Sequence, residues 1–252
     1  LPCLECVVGA TTGTDHIDLG ECRRRGLLVT NIGDAFAVDV ADYAVGLLLD
    51  VVRNLSSGDR FVRAGFWPEQ KGFPLGVSLR GKRVGIVGLG NIGHRIAKRL
   101  LPFGCTIAYS SRKVKLEVPF PYYDNVHDLA FNADILILCC SLSDETRHMV
   151  NKDVLSALGK EGIIINVGRG ALINEKELVE FLVEDRIAGA GLDVFEDEPN
   201  VPKELFGLEN VVLSAHHAVC TPESFKAVID IVIANLNAFF SNKPLLSPVR
   251  FE

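Results

Sequence analysis

The chain has 252 residues, of which 48 % are hydrophobic, and its formal net charge is −6. This length and apolar content suffice for one large domain, or two smaller ones, with a sizeable core. The acidic charge argues against nucleic acid or an anionic membrane as a partner, because either requires a basic face, and the longest apolar runs are too short to cross a bilayer.

The seven cysteines are odd in number and lack zinc-ribbon spacing. Cys3 and Cys6 form a C-x-x-C pair, but no second pair follows at the spacing of a metal site. Several of the others lie within predicted strands. We therefore expect buried thiols in a reducing compartment, with a cytoplasmic location and no metal centre.

The first part of the chain predicts one βαβ unit followed by a long helix. The expected elements are a strand over 5–13, a helix over 15–26 that ends at a glycine, a strand over 27–31 and a helix over 37–53. The long helix is apolar over much of its circumference. That pattern is typical of a helix buried between layers or subunits.

From residue 81 strands and helices alternate steadily. The predicted strands are 84–88, 105–110, 133–140, 162–168, 187–195 and 210–216, and the predicted helices are 91–102, 125–131, 151–158 and 174–184. Six strands joined mainly by helices predict right-handed crossovers and an α/β fold with a Rossmann-type, doubly wound parallel sheet.

A second long helix, over 222–240, follows the last strand and is expected to return to the first unit. The predicted organisation is therefore two lobes. Residues 34–218 form a dinucleotide-binding domain, and residues 1–33 with 219–252 form a second, smaller lobe. A cleft between lobes is the default ligand site.

Three glycines stand where the apolar run 84–87 meets a helical pattern. Gly88 permits a tight turn, Gly90 allows the backbone to approach a pyrophosphate, and Gly93 lets the helix pack close to the strand. Asn91 and Ile92 open the helix, whose free N–H groups and positive dipole end face the phosphates. The pattern indicates a dinucleotide site, although a glycine-rich turn without a ligand has the same composition.

The end of the second strand of this sheet indicates the cofactor subtype. NAD-binding forms carry an acidic residue there, which would repel a 2′-phosphate. This strand ends instead with Ser110, Ser111, Arg112 and Lys113, which offer hydroxyl donors and positive charge. NADP(H) is therefore the preferred cofactor and NAD(H) a possible one. The competing interpretation is a solvated basic turn.

Three further segments follow strands, where open α/β sheets place ligands. They are Asn166–Gly170, Asp193–Pro199 and Ser214–Ala218. Reduction of a 2-oxo acid requires a cation to hold the carboxylate and polarise the carbonyl, and an acid to protonate the oxygen. Arg169 fits the first role and His216 the second, with Glu198 as the carboxylate that orients the histidine. The alternatives are a surface ion pair for Arg169 and solvated charge for Glu198.

These ordered segments resemble the D-isomer-specific 2-hydroxyacid dehydrogenases over essentially the whole chain. The runs Gly191–Leu205 and Phe239–Leu246 are most similar to plant glyoxylate/hydroxypyruvate reductases and the related hydroxyphenylpyruvate reductases. The resemblance implies that Arg169 binds substrate, that Glu198 is the glutamate before proline, and that His216 is the catalytic acid/base.

Other positions take their expected roles from the same resemblance. Thr12 and Gly13 match the loop that holds the substrate carboxylate, and Asp193 matches the aspartate near the nicotinamide carboxamide. The family pattern Pro-His becomes Ala215-His216, so the first histidine keeps the register and His217 is its neighbour. Further expected cofactor contacts are Cys140, Ser141, Thr146, Val167 and Gly168.

Trp67, the only tryptophan, lies outside any helical stripe in a region that reaches across a two-fold dimer in relatives. A homodimer is therefore expected, although a core tryptophan is an alternative. Relatives also carry about 60 residues before the Thr12 loop, at roughly 30 per βα-type unit. The first lobe is accordingly expected to be incomplete at its N-terminal side.

The leading functional hypothesis is NADPH-dependent reduction of small 2-oxo acids, glyoxylate and hydroxypyruvate first, to D-2-hydroxy acids. Hydroxyphenylpyruvate reduction is the alternative within enzymes, because the sequence does not settle the pocket width. A dinucleotide-sensing protein like the corepressors that share this fold is the alternative from another class, and an inactive fragment is the third.

Overall fold

The computed structural model describes residues 1–69 and 72–250. The chain divides into two compact units, Leu1–Asp39 together with the chain from Val219 onward, and Val40–Ala218. Within the described ranges, no helix combines the length and the apolar character needed to cross a membrane.

Eight strands, eight α-helices and three short 3-10 helices, Leu101–Phe103, Gly170–Leu172 and Lys203–Gly207, make up the regular structure of the described residues. The strands are β1 (Cys6–Val8), β2 (Leu28–Thr30), β3 (Arg83–Val87), β4 (Thr106–Ser110), β5 (Ile135–Leu138), β6 (Ile163–Asn166), β7 (Gly189–Leu192) and β8 (Val211–Leu213). The helices are α1 (Leu19–Arg24), α2 (Ala37–Arg53), α3 (Leu55–Arg63), α4 (Asn91–Leu100), α5 (Val126–Phe131), α6 (Lys152–Leu158), α7 (Glu175–Val183) and α8 (Pro222–Phe240).

The larger unit contains a six-stranded sheet in the order β4-β3-β5-β6-β7-β8, and every pairing is parallel. All residues of β5 and β6 are buried, as expected of strands covered on both faces. A core of apolar side chains joins this sheet to α5, α6 and α7. The predicted doubly wound parallel sheet is confirmed.

The chain leaves β3 toward β4 on one side and later returns to β5 on the other. The order of strands therefore reverses between β3 and β5. In open α/β sheets the crevice outside the carboxyl ends of strands at such a point is where ligands bind. Gly88 follows β3 and Cys139 follows β5, so both segments meet at this crevice.

The smaller unit is built around two parallel strands, β1 and β2. Helix α8 packs against β1, as expected from its position after the last strand of the large sheet. The C-terminal segment lies beside β2, where the N–H of Val249 donates to the carbonyl of Val29 over 2.8 Å. The outer side of α8 exposes five large apolar side chains, those of Phe225, Ile229, Ile233, Leu236 and Phe240.

Two expectations for the first part of the chain are wrong in detail. The predicted strand over 5–13 ends at Val8, because the next residues bend and keep only isolated backbone bonds to the β2 segment, from the N–H of Gly9 to Thr30 and from the N–H of Ile32 to Thr11. The predicted helix over 15–26 begins at Leu19, since the Asp18 side chain accepts from the N–H of Glu21 and caps it there. Helix α3, which the sequence analysis does not predict, follows a left-handed residue at Asn54.

All seven cysteines are free. Cys22 and Cys105 are buried, and burial raises the pKa of the Cys105 thiol. The expectation of buried thiols is thus confirmed for these two positions, while Cys3 and Cys220 are exposed.

Candidate active site

The glycine turn after β3 contains two glycines that the protein's own packing requires. Gly88 has φ of +96°, and a Cβ there would lie 2.7 Å from both Cα and Cβ of Cys140. A Cβ on Gly93 would lie 2.2 Å from the carbonyl oxygen of Gly88. Gly90 differs, because a Cβ there would meet no described atom within 4 Å. The space in front of the middle glycine is open, as a bound pyrophosphate requires.

Helix α4 begins directly at this open space. Its N-cap is Gly90, which provides no side-chain hydrogen bond, and its first turn carries no acidic residue. The free N–H groups and the positive end of the helix dipole are therefore available to an anion. Asn91 and Ile92 form the first turn, so the residues present fit the phosphates of a dinucleotide.

The turn after β4 presents positive charge. Ser110 is buried, whereas Arg112 and Lys113 are exposed. The Ser111 hydroxyl donates to the carbonyl of Lys113 over 2.7 Å, and the Tyr122 hydroxyl donates to the carbonyl of Ser111 over 3.2 Å. These bonds fix the turn and leave the guanidinium and ammonium groups at the surface, next to the edge strand of the sheet.

The loop after β5 supports the glycine turn from behind. Burial raises the pKa of Cys140 to about 11, so its thiol is neutral at physiological pH. Thr146 closes the loop, since its hydroxyl donates to the carbonyl of Ser141 over 2.9 Å and accepts from the N–H of Ser143 over 2.7 Å. Cys140 thus packs against Gly88, and Ser141 lies exposed at the start of the loop.

A buried asparagine shapes the turn that carries Arg169. Asn166 is only 1 % exposed; its side-chain oxygen accepts from the N–H of Gly168 over 3.0 Å and its amide donates to the carbonyl of Arg169 over 2.9 Å. Val167 is buried between them, and the Arg169 guanidinium donates to the carbonyl of Gly168 over 2.8 Å. Asn166 is not among the site residues predicted from the sequence, although a polar residue that ends an Ile-Ile-Ile strand is a usable signal.

The Arg169 turn touches the loop that follows β7. A Cβ on Gly170 would lie 1.9 Å from the carbonyl carbon of Phe195 and 2.3 Å from the nitrogen of Glu196. Only a glycine therefore allows the two backbones to approach this closely. Arg169 and Glu198 are held on adjoining loops as a result.

Glu198 and His216 form a direct pair. The Nδ1 atom of His216 lies 2.8 Å from Oε2 of Glu198, and the other carboxylate oxygen accepts from the N–H of Phe195 over 3.0 Å. Among the described residues, none makes a hydrogen bond to Nε2 of His216, and 43 % of this side chain is exposed. The carboxylate thus fixes the ring and directs its second nitrogen outward. Glu198 is thus hydrogen-bonded to His216 and to the N–H of Phe195, and its part in the reaction stays a prediction.

Asp193 anchors the turn on which His216 stands. This aspartate is 1 % exposed, and its carboxylate accepts from the Ser214 hydroxyl over 2.6 Å and from the N–H groups of His217 and Ala218 over 2.8 and 3.0 Å. Its carbonyl accepts from the N–H of His216 over 2.8 Å, and His216 is held at φ of +53°. The expected cofactor contact of Asp193 stays a prediction; the anchoring role was not anticipated.

The Thr12 loop belongs to the smaller unit. The Asn31 amide donates to the carbonyl of Thr12 over 3.1 Å, and the Thr11 hydroxyl donates to the carbonyl of Gly13 over 2.8 Å. Thr12 is exposed. These bonds hold the loop at the end of β1, and its contact with substrate stays a prediction.

The larger unit thus combines a dinucleotide-binding turn with an arginine and a carboxylate-held imidazole, all at the carboxyl ends of one parallel sheet. These features define an oxidoreductase-type α/β fold that uses a dinucleotide. The family described as D-isomer specific 2-hydroxyacid dehydrogenase, NAD binding domain, matches residues 45–218. The chain belongs to this family.

Relatives extend the likeness to the whole chain. A glyoxylate/hydroxypyruvate reductase of Arabidopsis thaliana is 58 % identical over 252 residues, which are 100 % of this chain and 78 % of the relative. A hydroxyphenylpyruvate reductase of Plectranthus scutellarioides is 49 % identical, with 99 % of this chain and 79 % of the relative covered. The crystal structure of an NADPH-dependent glyoxylate/hydroxypyruvate reductase from Sinorhizobium meliloti in complex with NADP and malonate matches with a TM-score of 0.95 at 44 % identity, covering 99 % of this chain and 78 % of that one.

Proposed function

We propose that this protein is an NADPH-dependent reductase that converts small 2-oxo acids, glyoxylate and hydroxypyruvate, to D-2-hydroxy acids. The observation that carries the proposal is the pairing of His216 with Glu198 on a loop that adjoins the Arg169 turn. The similarity to the glyoxylate/hydroxypyruvate reductases of Arabidopsis and Sinorhizobium, the second of which is NADPH-dependent, supports the choice of substrates and cofactor.

The reaction adds a hydride to the carbonyl carbon and a proton to the carbonyl oxygen. The nicotinamide cofactor supplies the hydride when it is bound. The Arg169 guanidinium holds the substrate carboxylate and stabilises the negative charge that develops on the carbonyl oxygen. His216 gives the proton from Nε2, while Glu198 stabilises the ring through Nδ1. The family resemblance assigns Thr12 and Gly13 to the carboxylate as well.

The preference for NADPH over NADH rests on the turn after β4. Arg112 and Lys113 are exposed there, and the described turn 110–113 contains no carboxylate that would accept from the ribose hydroxyls. A 2′-phosphate would therefore find positive charge and serine hydroxyls. Cys140, Ser141, Thr146, Val167 and Gly168 stay predicted contacts for the remainder of the cofactor, with Asp193 near the nicotinamide.

The segment after α3 supports a homodimer. Trp67 is 71 % exposed, which rules out the core-tryptophan alternative. Large apolar side chains at other positions between 55 and 77 are also exposed, namely Leu55, Val62, Phe66, Leu75 and Val77. Apolar side chains exposed in this number suit burial against a second copy of the chain. The free thiols further favour a reducing compartment, the cytoplasm.

The test is NADPH oxidation, followed by its ultraviolet absorbance, with glyoxylate, hydroxypyruvate and hydroxyphenylpyruvate as separate substrates. We expect turnover with the two small acids, a higher kcat/KM with NADPH than with NADH, and loss of turnover in His216→Asn. His217→Asn is the matched control, because this neighbour contributes only its N–H to the loop anchor. Turnover that survives His216→Asn and falls in His217→Asn would show that His217 is the acid and that the assignment of His216 is wrong.

Binding without turnover would favour a different class. If the protein binds NADPH, reduces none of the three acids, and is unaffected in its cofactor affinity by His216→Asn, it fits a dinucleotide sensor. If neither binding nor turnover is detected, the reductase proposal fails for this chain. Preference for hydroxyphenylpyruvate would correct the substrate class and leave the mechanism in place.

A further inference from the structure

A second histidine–glutamate pair lies next to the one that the reaction uses. The Nε2 atom of His148 lies 2.6 Å from Oε1 of Glu196, two residues before Glu198. The side chains are 39 % and 33 % exposed, so the pair is partly shielded from solvent. Two side-chain hydrogen bonds therefore hold the loop from Phe195 to Glu198, one between His216 and Glu198 and one between His148 and Glu196.

The backbone of His148 is hydrogen-bonded to the residues that follow Arg169. Its N–H donates to the carbonyl of Ala171 over 2.8 Å, and the N–H of Val150 donates to the carbonyl of Leu172 over 3.0 Å. These bonds fix His148 to the turn that follows Arg169. Because its ring reaches Glu196, His148 connects the Arg169 turn to the Glu198 loop.

The conformation of His148 indicates that this connection is imposed by its surroundings. Its φ is +52°, in the left-handed region that disfavours residues with a Cβ. Such a conformation persists where neighbouring contacts over-determine it, and these outliers cluster at functional sites. The catalytic candidate His216 has the same feature, with φ of +53°.

The opposite side of the loop is crowded with negative charge. The N–H of Glu196 donates to a carboxylate oxygen of Glu175 over 3.0 Å. Burial raises the pKa of Glu175, and the nearby carboxylates of Glu196, Asp197 and Glu198 raise it further. The hydrogen bond from the N–H of Glu196 opposes this shift, and the His148 ring gives the Glu196 carboxylate a polar partner on this acidic loop.

We propose that His148 is a positioning residue for the reaction, acting through Glu196 to hold Glu198 against His216 and in place beside Arg169. His148 itself touches neither substrate nor cofactor in this assignment. The catalytic meaning of the proposal rests on the proposed reductase function. Its geometric content, the dependence of the His216 ring on His148, can be tested without turnover.

The kinetic test compares two substitutions that differ in reach. His148→Asn tolerates positive φ but is too short to reach Glu196, whereas His148→Gln places an amide N–H close to the position of Nε2. We expect kcat to fall about tenfold in His148→Asn, since misplaced catalytic groups cost one to two orders of magnitude. The KM for NADPH should stay within about twofold, and His148→Gln should recover most of the loss.

The control is an unrelated histidine–acid pair on α5. The Nδ1 atom of His127 lies 3.4 Å from Oδ1 of Asp128 at an exposed site, and His127→Gln should leave every kinetic constant unchanged.

A double-mutant comparison then tests whether His148 acts through Glu198. In a Glu198→Gln background, His148→Asn should cause little further loss of kcat, because the group that it positions is already changed. Equal factors in both backgrounds, or wild-type kcat in His148→Asn, would overturn the proposal.

A spectroscopic measurement separates this proposal from the reductase function. The ring signals of His216 in NMR spectra are assigned by their loss in His216→Asn. We expect His148→Asn to shift or broaden them, and His148→Gln and His127→Gln to leave them in place. If the chain reduces none of the substrates, the reductase proposal fails while this test still stands. Unchanged His216 signals in His148→Asn would refute the positioning role by itself.

Discussion

The Cα of Gly93 packs directly under the carbonyl oxygen of Gly88, so close that a Cβ would lie 2.2 Å from that oxygen. This contact joins the first turn of α4 to the strand end and fixes where the helix begins. Gly90, between the two, lies in open space. The three glycines therefore differ physically, since two are required by packing and the third faces open space where the cofactor phosphates are predicted.

The difference predicts opposite behaviour for two alanine substitutions. Gly93→Ala places a methyl group against backbone that cannot move aside, so we expect it to lower the free energy of unfolding by about 3 kcal/mol or more. Gly90→Ala should change the free energy of unfolding by less than about 1 kcal/mol but weaken NADPH binding at least tenfold. Urea melts without cofactor and fluorescence titrations with NADPH measure the two effects. Equal destabilisation by both substitutions would contradict the distinction.

Gly170 predicts a third outcome, in which stability and activity fall together. A Cβ at this position meets the carbonyl carbon of Phe195 at 1.9 Å, so Gly170→Ala must separate the Arg169 turn from the Glu198 loop. We expect a loss of about 3 kcal/mol or more in the free energy of unfolding, and no detectable reductase activity in any folded fraction. Gly207→Ala, where a Cβ meets no described atom within 4 Å, is the control and should unfold like the parent.

The pattern of the sequence is sufficient to predict the large sheet. Its central strands contain continuous apolar runs, such as Ile135–Leu138 and the three isoleucines at 163–165, and the helices between them begin at side-chain caps such as Asn151 and Asn174. The apolar pattern and the capping residues agree there, so the predicted ends of these elements lie within two or three residues of the observed ones. Strand β1 is overestimated, because residues 9–13 are Gly-Ala-Thr-Thr-Gly, which bend after Val8 and place only the exposed Ala10 as an apolar side chain.

The sequence predicts the candidate reacting groups that the structure brings onto adjoining loops, and it does not predict what supports them. Arg169, Glu198 and His216 carry chemistry that a 2-oxo acid demands, and each follows a strand. The buried hydrogen bonds that shape their loops depend on which backbone N–H groups lie nearby in space. Asp193 is expected from the family resemblance to lie near the nicotinamide, and no pattern predicts the three hydrogen bonds that it accepts from the His216 turn. Such contacts join residues about twenty positions apart and leave no local pattern.

The turn after β4 predicts how cofactor choice would change. Ser111→Asp with Arg112→Ala replaces a cation by a carboxylate at the expected 2′-phosphate position. Because a charge-assisted contact contributes about 1.5–3 kcal/mol, we expect the KM for NADPH to rise by about ten- to a hundredfold. The KM for NADH, measured in the same variant, should fall or stay the same, since the new carboxylate accepts from the ribose hydroxyls. A parallel rise for both cofactors would show that the turn supports the fold and does not select the cofactor.

An ion pair at the amino ends of β3 and β5 makes a pH-dependent contribution to the free energy of unfolding. Arg83 begins β3, and its guanidinium lies 2.6 Å from a carboxylate oxygen of Asp134, which precedes β5. The N–H of Arg83 donates to the same carboxylate over 2.8 Å, and the N–H of Asp134 donates back to the carbonyl of Arg83 over 2.8 Å. The side-chain hydrogen bond from Arg83 is the main reason why the pKa of Asp134 is lower than its ordinary value of 3.8.

A lowered pKa in the folded state means that folding favours the ionised carboxylate. The resulting stabilisation is complete above pH 3.8 and is lost as the pH falls through the lower pKa of the folded state. We expect Asp134→Asn to reduce the free energy of unfolding by about 1 kcal/mol near neutral pH, because 27 % of the aspartate side chain is exposed and solvent screens the pair. Below the folded pKa, the free energies of unfolding of parent and variant should converge.

Asp59→Asn, at an exposed ion pair on α3, is the control and should leave the urea midpoint almost unchanged at both pH values. A difference between parent and Asp134→Asn that persists undiminished in acid would show that the contribution comes from packing and not from the charge.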